Sequence, residues 1–325
     1  MMETAKTIGL LTSGGDAPGM NAAIRAIVRS GIRHGFQMKG IRRGYHGLLK
    51  EEIIDMNSAS VSDIIQRGGT VLGTARSKGM MTSEGQDRAA YILQKNGIDV
   101  LIVIGGDGSL AGAASIAKRG IDVIGIPGTI DLDVGCTDYT IGFDTAVNTA
   151  MEALDKIRDT SASHERVSII EVMGRGAGYI ALWTGLAGGA EEVLTPETYH
   201  GNEQLLMDHI IENRALGKRH HIIVNAEGIG HSEELAKRIE KVTDIETRAT
   251  ILGYLQRGGS PTCRDRVEAT IMGEKAIELI CQNKLNRVVA KKGNQYTDVD
   301  IFEAQKMKKT VENAVYMDCR KLVRS

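Results

Sequence analysis

Short apolar runs that end near glycine recur along the chain, and helical patterns follow several of them. Five of these runs predict β-strands, at residues 8–12, 100–104, 123–126, 167–172 and 221–226. Apolar residues spaced three and four apart predict helices over about 20–32 and 144–160. Continuous apolar strands that alternate with helices are typical of a parallel sheet covered on both faces. The pattern therefore predicts an α/β fold.

The length of the chain indicates about two domains. It has 325 residues, and a domain typically holds roughly 100–200. Hydrophobic residues make up 42% and charged residues 25%, which is an ordinary globular composition. Because no linker rich in proline or serine separates two halves, the pattern places a domain boundary only approximately, near residue 140.

The charge balance argues against nucleic-acid and membrane partners. The 40 basic and 41 acidic side chains give a formal net charge of −1, and aromatic residues are only 4%. Neither a general attraction to polyanions nor a base-stacking surface follows from these values. The sequence also contains no run of about 18 apolar residues and no apolar signal core near its start. We therefore expect a cytoplasmic protein.

The cysteines are dispersed along the chain. They are Cys136, Cys263, Cys281 and Cys319. No CxxC pair is present and no histidine stands at zinc-ligand spacing, so a structural zinc site is not expected. In a chain with no secretory leader, such cysteines are interpreted as reduced thiols.

The turn after the first predicted strand, residues 12–19, reads TSGGDAPG and leads into a helix. Adjacent glycines let a phosphate approach backbone amides, and a helix N-terminus favours an anion. The turn matches neither the GxxxxGK[ST] nor the GxGxxG fingerprint. A phosphate-binding turn and a plain strand-to-helix turn both remain open.

The turn after the second strand, residues 105–109, reads GGDGS. Its glycines free the backbone for phosphate oxygens and leave Asp107 at the strand end. A single carboxylate beside a polyphosphate is a common way to hold Mg²⁺. The alternative is that Asp107 caps the next helix.

The turn after the third strand, residues 127–133, carries two carboxylates, Asp131 and Asp133. One could accept a proton while the other organises a metal ion or the loop. The alternative is again a helix cap.

Arginines stand next to glycines at other strand ends. Arg175 lies within MGRGAG, residues 173–178, and Arg257 lies within QRGG, residues 256–259. Such positions suit planar phosphate recognition. Arg25 and Arg29 form a like-charge pair on the first helix, which an anionic ligand or solvent would relieve. Residues 218–221, KRHH, are either a phosphate pocket or a solvated loop.

These residues together describe a polyphosphate site with glycine turns, a metal carboxylate, a candidate base and separated arginines. Phosphoryl transfer requires this combination of positioning, charge neutralisation and proton acceptance. The residues alone therefore predict a Mg²⁺-dependent kinase that acts on a phosphorylated small molecule, without naming the sugar.

The ordered motifs resemble those of the bacterial ATP-dependent 6-phosphofructokinase family along essentially the whole chain. The similar segments are 8–19, 69–76, 104–109, 127–131, 138–146, 157–166, 171–175, 185–191, 226–228 and 253–261. The resemblance implies two three-layer α/β/α domains with mainly parallel sheets and an active site in the cleft between them. The ATP-binding domain would comprise residues 1–142 and about 258–308, and the sugar-phosphate domain about 143–257 and 309–325.

The resemblance implies transfer of the ATP γ-phosphate to the 1-hydroxyl of fructose 6-phosphate. Asp131 would be the general base, Asp107 would bind Mg²⁺ with support from Asp133, and Arg76 and Arg175 would neutralise the transferring phosphoryl, beside Thr129. The residues expected to bind nucleotide are Gly15, Arg76, Ser77, Gly106, Asp107, Gly108 and Ser109. The residues expected to bind sugar phosphate are Thr129, Ile130, Asp131, Arg166, Met173, Gly174, Arg175, Glu227, Arg248, Tyr254, Leu255, Gln256 and Arg257.

The resemblance further implies a homotetramer in which Arg166 and Arg248 complete a neighbouring subunit's sugar-phosphate site. ADP and phosphoenolpyruvate would be the effectors. Their site would use Arg25, Arg29, Arg158, Gly189, Ala190, Glu191, Lys218, Arg219 and His220. Gly108 and Gly128 would leave room for the nucleotide, which favours ATP over pyrophosphate as donor.

The chain departs from the family pattern in four places. Leu132 replaces the asparagine between the two carboxylates, and residues 134–136 read VGC where the family has IPG. Tyr254 replaces a histidine, and Leu216 stands where the effector pocket often has a basic residue. Two alternatives therefore stay open: a same-fold kinase for another sugar phosphate, such as sedoheptulose 7-phosphate, and a weakly active regulatory paralogue that senses nucleotides.

Overall fold

The computed structural model describes residues 6–309, which form two compact units. The first unit contains the residues up to Thr145 together with Arg257–Lys309, and the second is Ala146–Gln256. These borders differ from the expected 142/143 and 257/258 by three residues and by one. Thr145 belongs with the first unit because it hydrogen bonds to Asp265 of that unit. The expected assignment of 310–325, which include Cys319, lies outside the described residues.

The elements are numbered in chain order. The strands are β1 (Thr7–Thr12), β2 (Gln37–Ile41), β3 (Ile53–Met56), β4 (Val100–Gly105), β5 (Asp122–Pro127), β6 (Val167–Val172), β7 (Glu192–Leu194), β8 (His221–Ala226), β9 (Thr247–Ile251), β10 (Arg287–Lys292) and β11 (Gln295–Asp300). The helices are α1 (Met20–Arg33), α2 (Gly44–Leu48), α3 (Ser83–Lys95), α4 (Asp107–Ala117), α5 (Phe143–His164), α6 (Tyr179–Ala187), α7 (Glu203–Ala215), α8 (Ser232–Thr243), α9 (Cys263–Cys281) and α10 (Ile301–Ala304).

The first unit is built on a seven-stranded sheet of order β11-β10-β5-β4-β1-β2-β3. Only β3 and β11, at the two edges, run antiparallel to their neighbours. In the centre, Thr12 of β1 pairs with Ile104 of β4, and Ile104 pairs with Ile126 of β5. The carboxyl ends of these three strands therefore lie level at one edge of the sheet.

Helices cover both faces of this sheet. On one face α1 packs against α9, and on the other α3 packs against α4. Leu11, Leu101 and Val103 point from the strands into a core shared with α3 and α4. The central strands are apolar throughout because both of their faces are buried, so the first unit has the expected three layers.

The second unit is built on an entirely parallel four-stranded sheet of order β7-β8-β6-β9. Leu206 and Ile210 of α7 and Leu235 and Ile239 of α8 pack together with Ile223 of β8 on one face. On the other face α6 packs against β6 and β8. This unit is also a three-layer α/β structure.

The sequence-based strands and helices are confirmed. The predictions at 167–172 and 221–226 coincide with β6 and β8, and the other three predicted strands end within one residue of β1, β4 and β5. The described cysteines, Cys136, Cys263 and Cys281, are free thiols. None of the helices in residues 6–309 is long and apolar enough to cross a membrane.

Candidate active site

The three turns singled out in the sequence meet at the carboxyl edge of β1, β4 and β5. Ser13 N donates to Ile104 O over 3.0 Å, and Gly128 N donates to Gly105 O over 3.0 Å. A Cβ placed on Gly14 would lie 3.2 Å from Ser109 Oγ, and one placed on Gly106 would lie 3.4 Å from Thr129 Cβ. Neighbouring parallel strands thus bring together segments that are far apart in sequence.

The first turn ends at an uncapped helix N-terminus. Gly19 precedes α1 with φ of 108°, no side chain caps the helix, and its first turn holds no acidic residue. The loop after residue 69 is fastened to this turn, since Thr12 Oγ1 donates to Gly73 O (3.0 Å) and Thr74 Oγ1 donates to Gly14 O (2.8 Å). Gly14 and Gly15 of this turn are exposed, whereas Gly19 and Met20 at the helix N-terminus are buried, so the accessible backbone lies at the two glycines.

Arg257 lies against the first turn. A Cβ on Gly15 would lie 2.9 Å from both Cζ and Nη2 of Arg257. Glycine at 15 therefore makes room for the guanidinium group. The resemblance assigns Arg257 to sugar-phosphate binding and Gly15 to nucleotide binding, and the structure shows the two residues side by side.

Asp107 is the first residue of α4, one position after Gly106, which occupies the N-cap position. The structure therefore places Asp107 within the helix and not at its N-cap. Its carboxylate is exposed in the first turn of the helix, where the dipole stabilises negative charge.

The two glycines used to argue for ATP differ in their surroundings. A Cβ on Gly108 would meet no atom within 4 Å, so this position faces open space as expected. Gly128 is buried, and a Cβ there would lie 2.9 Å from Ile104 Cγ2 and 3.2 Å from Met20 Cε. Glycine at 128 is thus required by packing against β4 and α1, and only Gly108 supports the argument about the donor.

In the third turn apolar and acidic residues alternate. Ile130, Leu132 and Val134 are buried, while Asp131 and Asp133 are partly exposed. Asp131 N donates to Thr129 Oγ1 over 3.2 Å, which makes a local turn. The next helix after this turn starts only at Phe143, so the helix-cap alternative is wrong for these two carboxylates.

Asp265, which the sequence analysis did not single out, anchors the chain that follows the third turn. Its buried carboxylate accepts hydrogen bonds from Tyr139 Oη (2.6 Å), Gly142 N (2.7 Å), Thr145 N (2.8 Å) and Thr145 Oγ1 (2.5 Å). Burial raises the pKa of Asp265, and these hydrogen bonds oppose that rise. The available sequence signal was Thr262, the N-cap residue of α9, three positions earlier.

Arg76 and Ser77 lie just beyond the fastened loop. Arg76 is exposed, two residues after Thr74, and Ser77 Oγ accepts from Met80 N over 3.4 Å. The structure therefore ties the loop that leads to Arg76 to the first turn through Thr74.

In the second unit the turn after β6 is held by side chains from two other segments. Glu227 Oε1 accepts from Gly174 N (3.2 Å) and Arg175 N (2.5 Å), and Gln256 Oε1 accepts from Met173 N (2.7 Å). Arg175 is exposed with φ of 57°, an uncommon conformation for a residue other than glycine. Five predicted sugar-phosphate residues thus gather at the carboxyl edge of the second sheet.

The two arginines expected to serve a neighbouring subunit converge on Glu246. Arg248 Nε donates to Glu246 Oε1 over 2.9 Å, and Arg166 Nη1 lies 3.5 Å from the same oxygen. The hydrogen bond from Arg248 lowers the pKa of Glu246. Tyr254 and Leu255, which follow β9, are both exposed.

The second unit also joins several predicted effector residues. Lys218 Nζ lies 3.1 Å from Glu191 Oε1, and Arg158 donates to the carbonyl oxygens of Gly188 and Gly189. Arg219 and His220 follow Lys218 directly, while Ala190 and Glu191 are buried. Arg25 and Arg29 belong to α1 of the first unit. Leu216 is the C-cap residue directly after α7 and is almost fully exposed.

His221 does not share this exposure. It is the first residue of β8 and is buried, so the solvated-loop alternative is wrong for this residue. Burial lowers the pKa of His221 to about 4, against the opposing charges of Glu191 and Glu192.

The chain matches a family model described as phosphofructokinase over residues 7–280. The chain belongs to the phosphofructokinase family. Curated relatives named ATP-dependent 6-phosphofructokinase agree with this. That of Clostridium botulinum (strain Loch Maree / Type A3) is 55% identical over 311 residues, covering 96% of this chain and 97% of its own. That of Clostridium acetobutylicum is 55% identical over 312 residues with the same coverage.

A solved phosphofructokinase from Saccharomyces cerevisiae has the same fold. The two structures give a TM-score of 0.85 at 33% identity, over 98% of this chain and 48% of the yeast chain. The chain therefore spans about half the length of the yeast phosphofructokinase chain.

Proposed function

We propose that the chain is an ATP-dependent 6-phosphofructokinase, which converts ATP and fructose 6-phosphate to ADP and fructose 1,6-bisphosphate. The observation that carries this proposal is the 55% identity, over 96% of the chain, to relatives that bear this name. Three glycine turns on adjacent strands, with Asp107 and Asp131 at their ends, support it from the structure.

In this proposal the first unit binds the nucleotide. The phosphates lie along the backbone of Gly15, Gly106 and Ser109, and the open space at Gly108 admits the nucleoside end of the donor. Ser77 contributes from the fastened loop. The uncapped N-terminus of α1 adds a favourable field for the phosphates.

The carboxylate of Asp107 fits a magnesium ion. Mg²⁺ prefers one or two carboxylates, with water and phosphate oxygens as its other ligands. Asp107 is an exposed carboxylate beside two glycines that leave the backbone accessible, and Asp133 lies on the neighbouring turn. When bound, Mg²⁺ would neutralise charge on the phosphate oxygens.

Asp131 is the proposed general base, which accepts the proton of the sugar 1-hydroxyl as that oxygen attacks the γ-phosphorus. Thr129 orients the turn by accepting from Asp131 N. We assign Arg76 and Arg175 to neutralising the transferring phosphoryl group. Such positioning and charge stabilisation account for most of the catalysis in phosphoryl transfer.

The second unit would recognise the sugar phosphate. Glu227 holds the turn through Oε1 and can accept sugar hydroxyl hydrogen bonds through Oε2, while Gln256 fixes Met173. The remaining proposed contacts are Gly174, Arg166, Arg248, Tyr254 and Leu255 of the second unit and Ile130 and Arg257 of the first. In the proposed homotetramer, Arg166 and Arg248 serve the adjacent subunit, and light scattering tests that assembly.

The predicted effector residues form the proposed site for ADP and phosphoenolpyruvate. Support comes from the contacts that join Lys218, Glu191 and Arg158 within the second unit. An anionic effector would compete with Glu191 for Lys218. The cytoplasmic location stays a prediction.

Initial rates over a panel of substrates test the function. Donors are ATP, GTP and pyrophosphate, acceptors are fructose 6-phosphate and sedoheptulose 7-phosphate, and each pair is measured with and without ADP and phosphoenolpyruvate. We expect the highest kcat/KM with Mg-ATP and fructose 6-phosphate. A higher value with sedoheptulose 7-phosphate or pyrophosphate would contradict the assignment, as would no product from a well-folded protein.

A further inference from the structure

Leu132, between the two acidic residues of the third turn, has a backbone conformation that leucine rarely adopts. Its φ is 57°, in the left-handed region. Glycine and asparagine enter this region readily, whereas a bulky side chain does so only where its surroundings hold it there. The sequence alone gave no sign of this conformation, because leucine is a poor predictor of it.

Leu132 and the two apolar residues that alternate with the acidic ones in this turn are buried. Only 5% of the residue is exposed, and its neighbours two positions away, Ile130 and Val134, are exposed by 3% and 2%. Asp131 and Asp133 alternate with these three residues and are partly exposed. Three buried side chains thus alternate along this turn with two carboxylates that are partly exposed.

The left-handed residue directly follows the candidate base. A change of φ at position 132 rotates the peptide that links it to Asp131 and so redirects the chain on both sides. Asparagine, the residue usual in the family, accommodates this φ without burying an apolar group. Leucine accommodates it only as long as its side chain stays buried, so in this chain burial maintains the conformation.

We propose that Leu132 is the positioning residue of the third turn: its buried side chain holds the left-handed backbone that aims Asp131 at the sugar hydroxyl. The role assigned to Asp131 rests on the proposed function. Under this assignment Leu132 is an adaptation of the loop, and it does not mark a weakened enzyme.

Four variants separate positioning from general packing. Leu132→Gly and Leu132→Asn permit the left-handed φ but remove the buried anchor, while Leu132→Met keeps an apolar side chain of similar volume. Val134→Ala is the matched control, because Val134 is equally buried and has no left-handed φ. For each variant kcat and both KM values are measured, together with backbone amide exchange over residues 129–134.

We expect Leu132→Gly and Leu132→Asn to lower kcat by about 10-fold to 100-fold with both KM values within about twofold, since a misplaced base reduces turnover more than binding. Leu132→Met should restore kcat, and Val134→Ala should lower thermal stability without lowering kcat. Amide exchange near Asp131 should accelerate in the glycine and asparagine variants only.

An unchanged or higher kcat in Leu132→Asn would overturn the inference and favour a weakly active paralogue. So would an equal loss of kcat in Val134→Ala. If the unmodified protein forms no product, the proposed function fails, and the exchange measurement still decides whether Leu132 fixes the turn: unchanged exchange in Leu132→Gly refutes it.

Discussion

Two residues in the candidate site, Leu132 and Arg175, have left-handed backbones without being glycine. Each such conformation costs on the order of 1–2 kcal/mol, and it persists only where neighbouring contacts enforce it. Burial enforces it at Leu132. At Arg175 the hydrogen bond from its own N–H to Glu227 does so.

A buried histidine gives a second test at the scale of a residue. Burial lowers the pKa of His221 to about 4. Below about pH 6.5 the unfolded chain therefore binds a proton at this residue, whereas the folded chain binds it only near pH 4. This contribution to stability is complete above about pH 6.5 and is lost as the pH falls toward 4.

We expect His221→Gln to remove roughly 3 kcal/mol of this acid dependence, the equivalent of the pKa difference. The measurement is the free energy of urea unfolding between pH 4 and 7. His231→Gln is the control substitution, because the His231 side chain is 81% exposed. Equal profiles for wild type and His221→Gln would contradict the assignment of a neutral, buried imidazole.

At the scale of elements, the glycine turns determine what each strand end can bind. The turn at the start of α4 is open above Gly108, whereas the glycine at 128 is enclosed by Ile104 and Met20. A side chain at 108 should therefore interfere with a ligand and leave the fold intact. A side chain at 128 should instead destabilise the fold without reaching a ligand.

Gly108→Asp tests this difference. The new carboxylate would point into open space near the nucleotide phosphates, and like-charge repulsion should raise KM for ATP by at least about tenfold. Thermal stability and KM for fructose 6-phosphate should stay near their wild-type values. Gly128→Ala is the matched comparison. We expect it to lower the melting temperature and to affect KM for ATP less. A Gly108→Asp enzyme with unchanged KM for ATP would exclude a nucleotide from this turn.

Asp265 links two helices, because it lies in the first turn of α9 and accepts hydrogen bonds from the residues that begin α5. In Asp265→Asn an amide N–H would face backbone and hydroxyl donors. We expect a loss of about 2–4 kcal/mol in the free energy of unfolding. Glu152→Gln, in an exposed pair with Lys156, should leave stability unchanged. Equal midpoints for Asp265→Asn and wild type in urea would refute the anchoring role.

Hydrophobic periodicity and turn residues predicted the strands that precede the three turns of the first unit. Strands β1, β4 and β5 were evident because a strand buried on both faces is apolar throughout. Edge strands β3 and β11 were missed because they carry polar residues such as Asp55 and Asp298. Asp265 was missed for a related reason: its partners lie 120 or more residues away in sequence.

For the whole molecule, the sequence predicted two α/β units, and the structure has two. At the first border, a hydrogen bond that the sequence does not reveal ties Thr145 to Asp265 of the first unit. The roles of individual site residues rest on motif matches to the family and stay predictions. The proposed phosphoryl transfer depends on one group in particular: the carboxylate at position 131, which would accept the sugar hydroxyl proton.

The most direct test of that requirement is the turnover of Asp131→Asn with Mg-ATP and fructose 6-phosphate, measured alongside equilibrium binding of ATP. The asparagine keeps the size of the side chain and cannot accept the proton, so kcat should fall by about 10²- to 10⁴-fold while the Kd for ATP stays within about twofold. A kcat within about threefold of wild type would contradict the account, because the proton would then leave by another route.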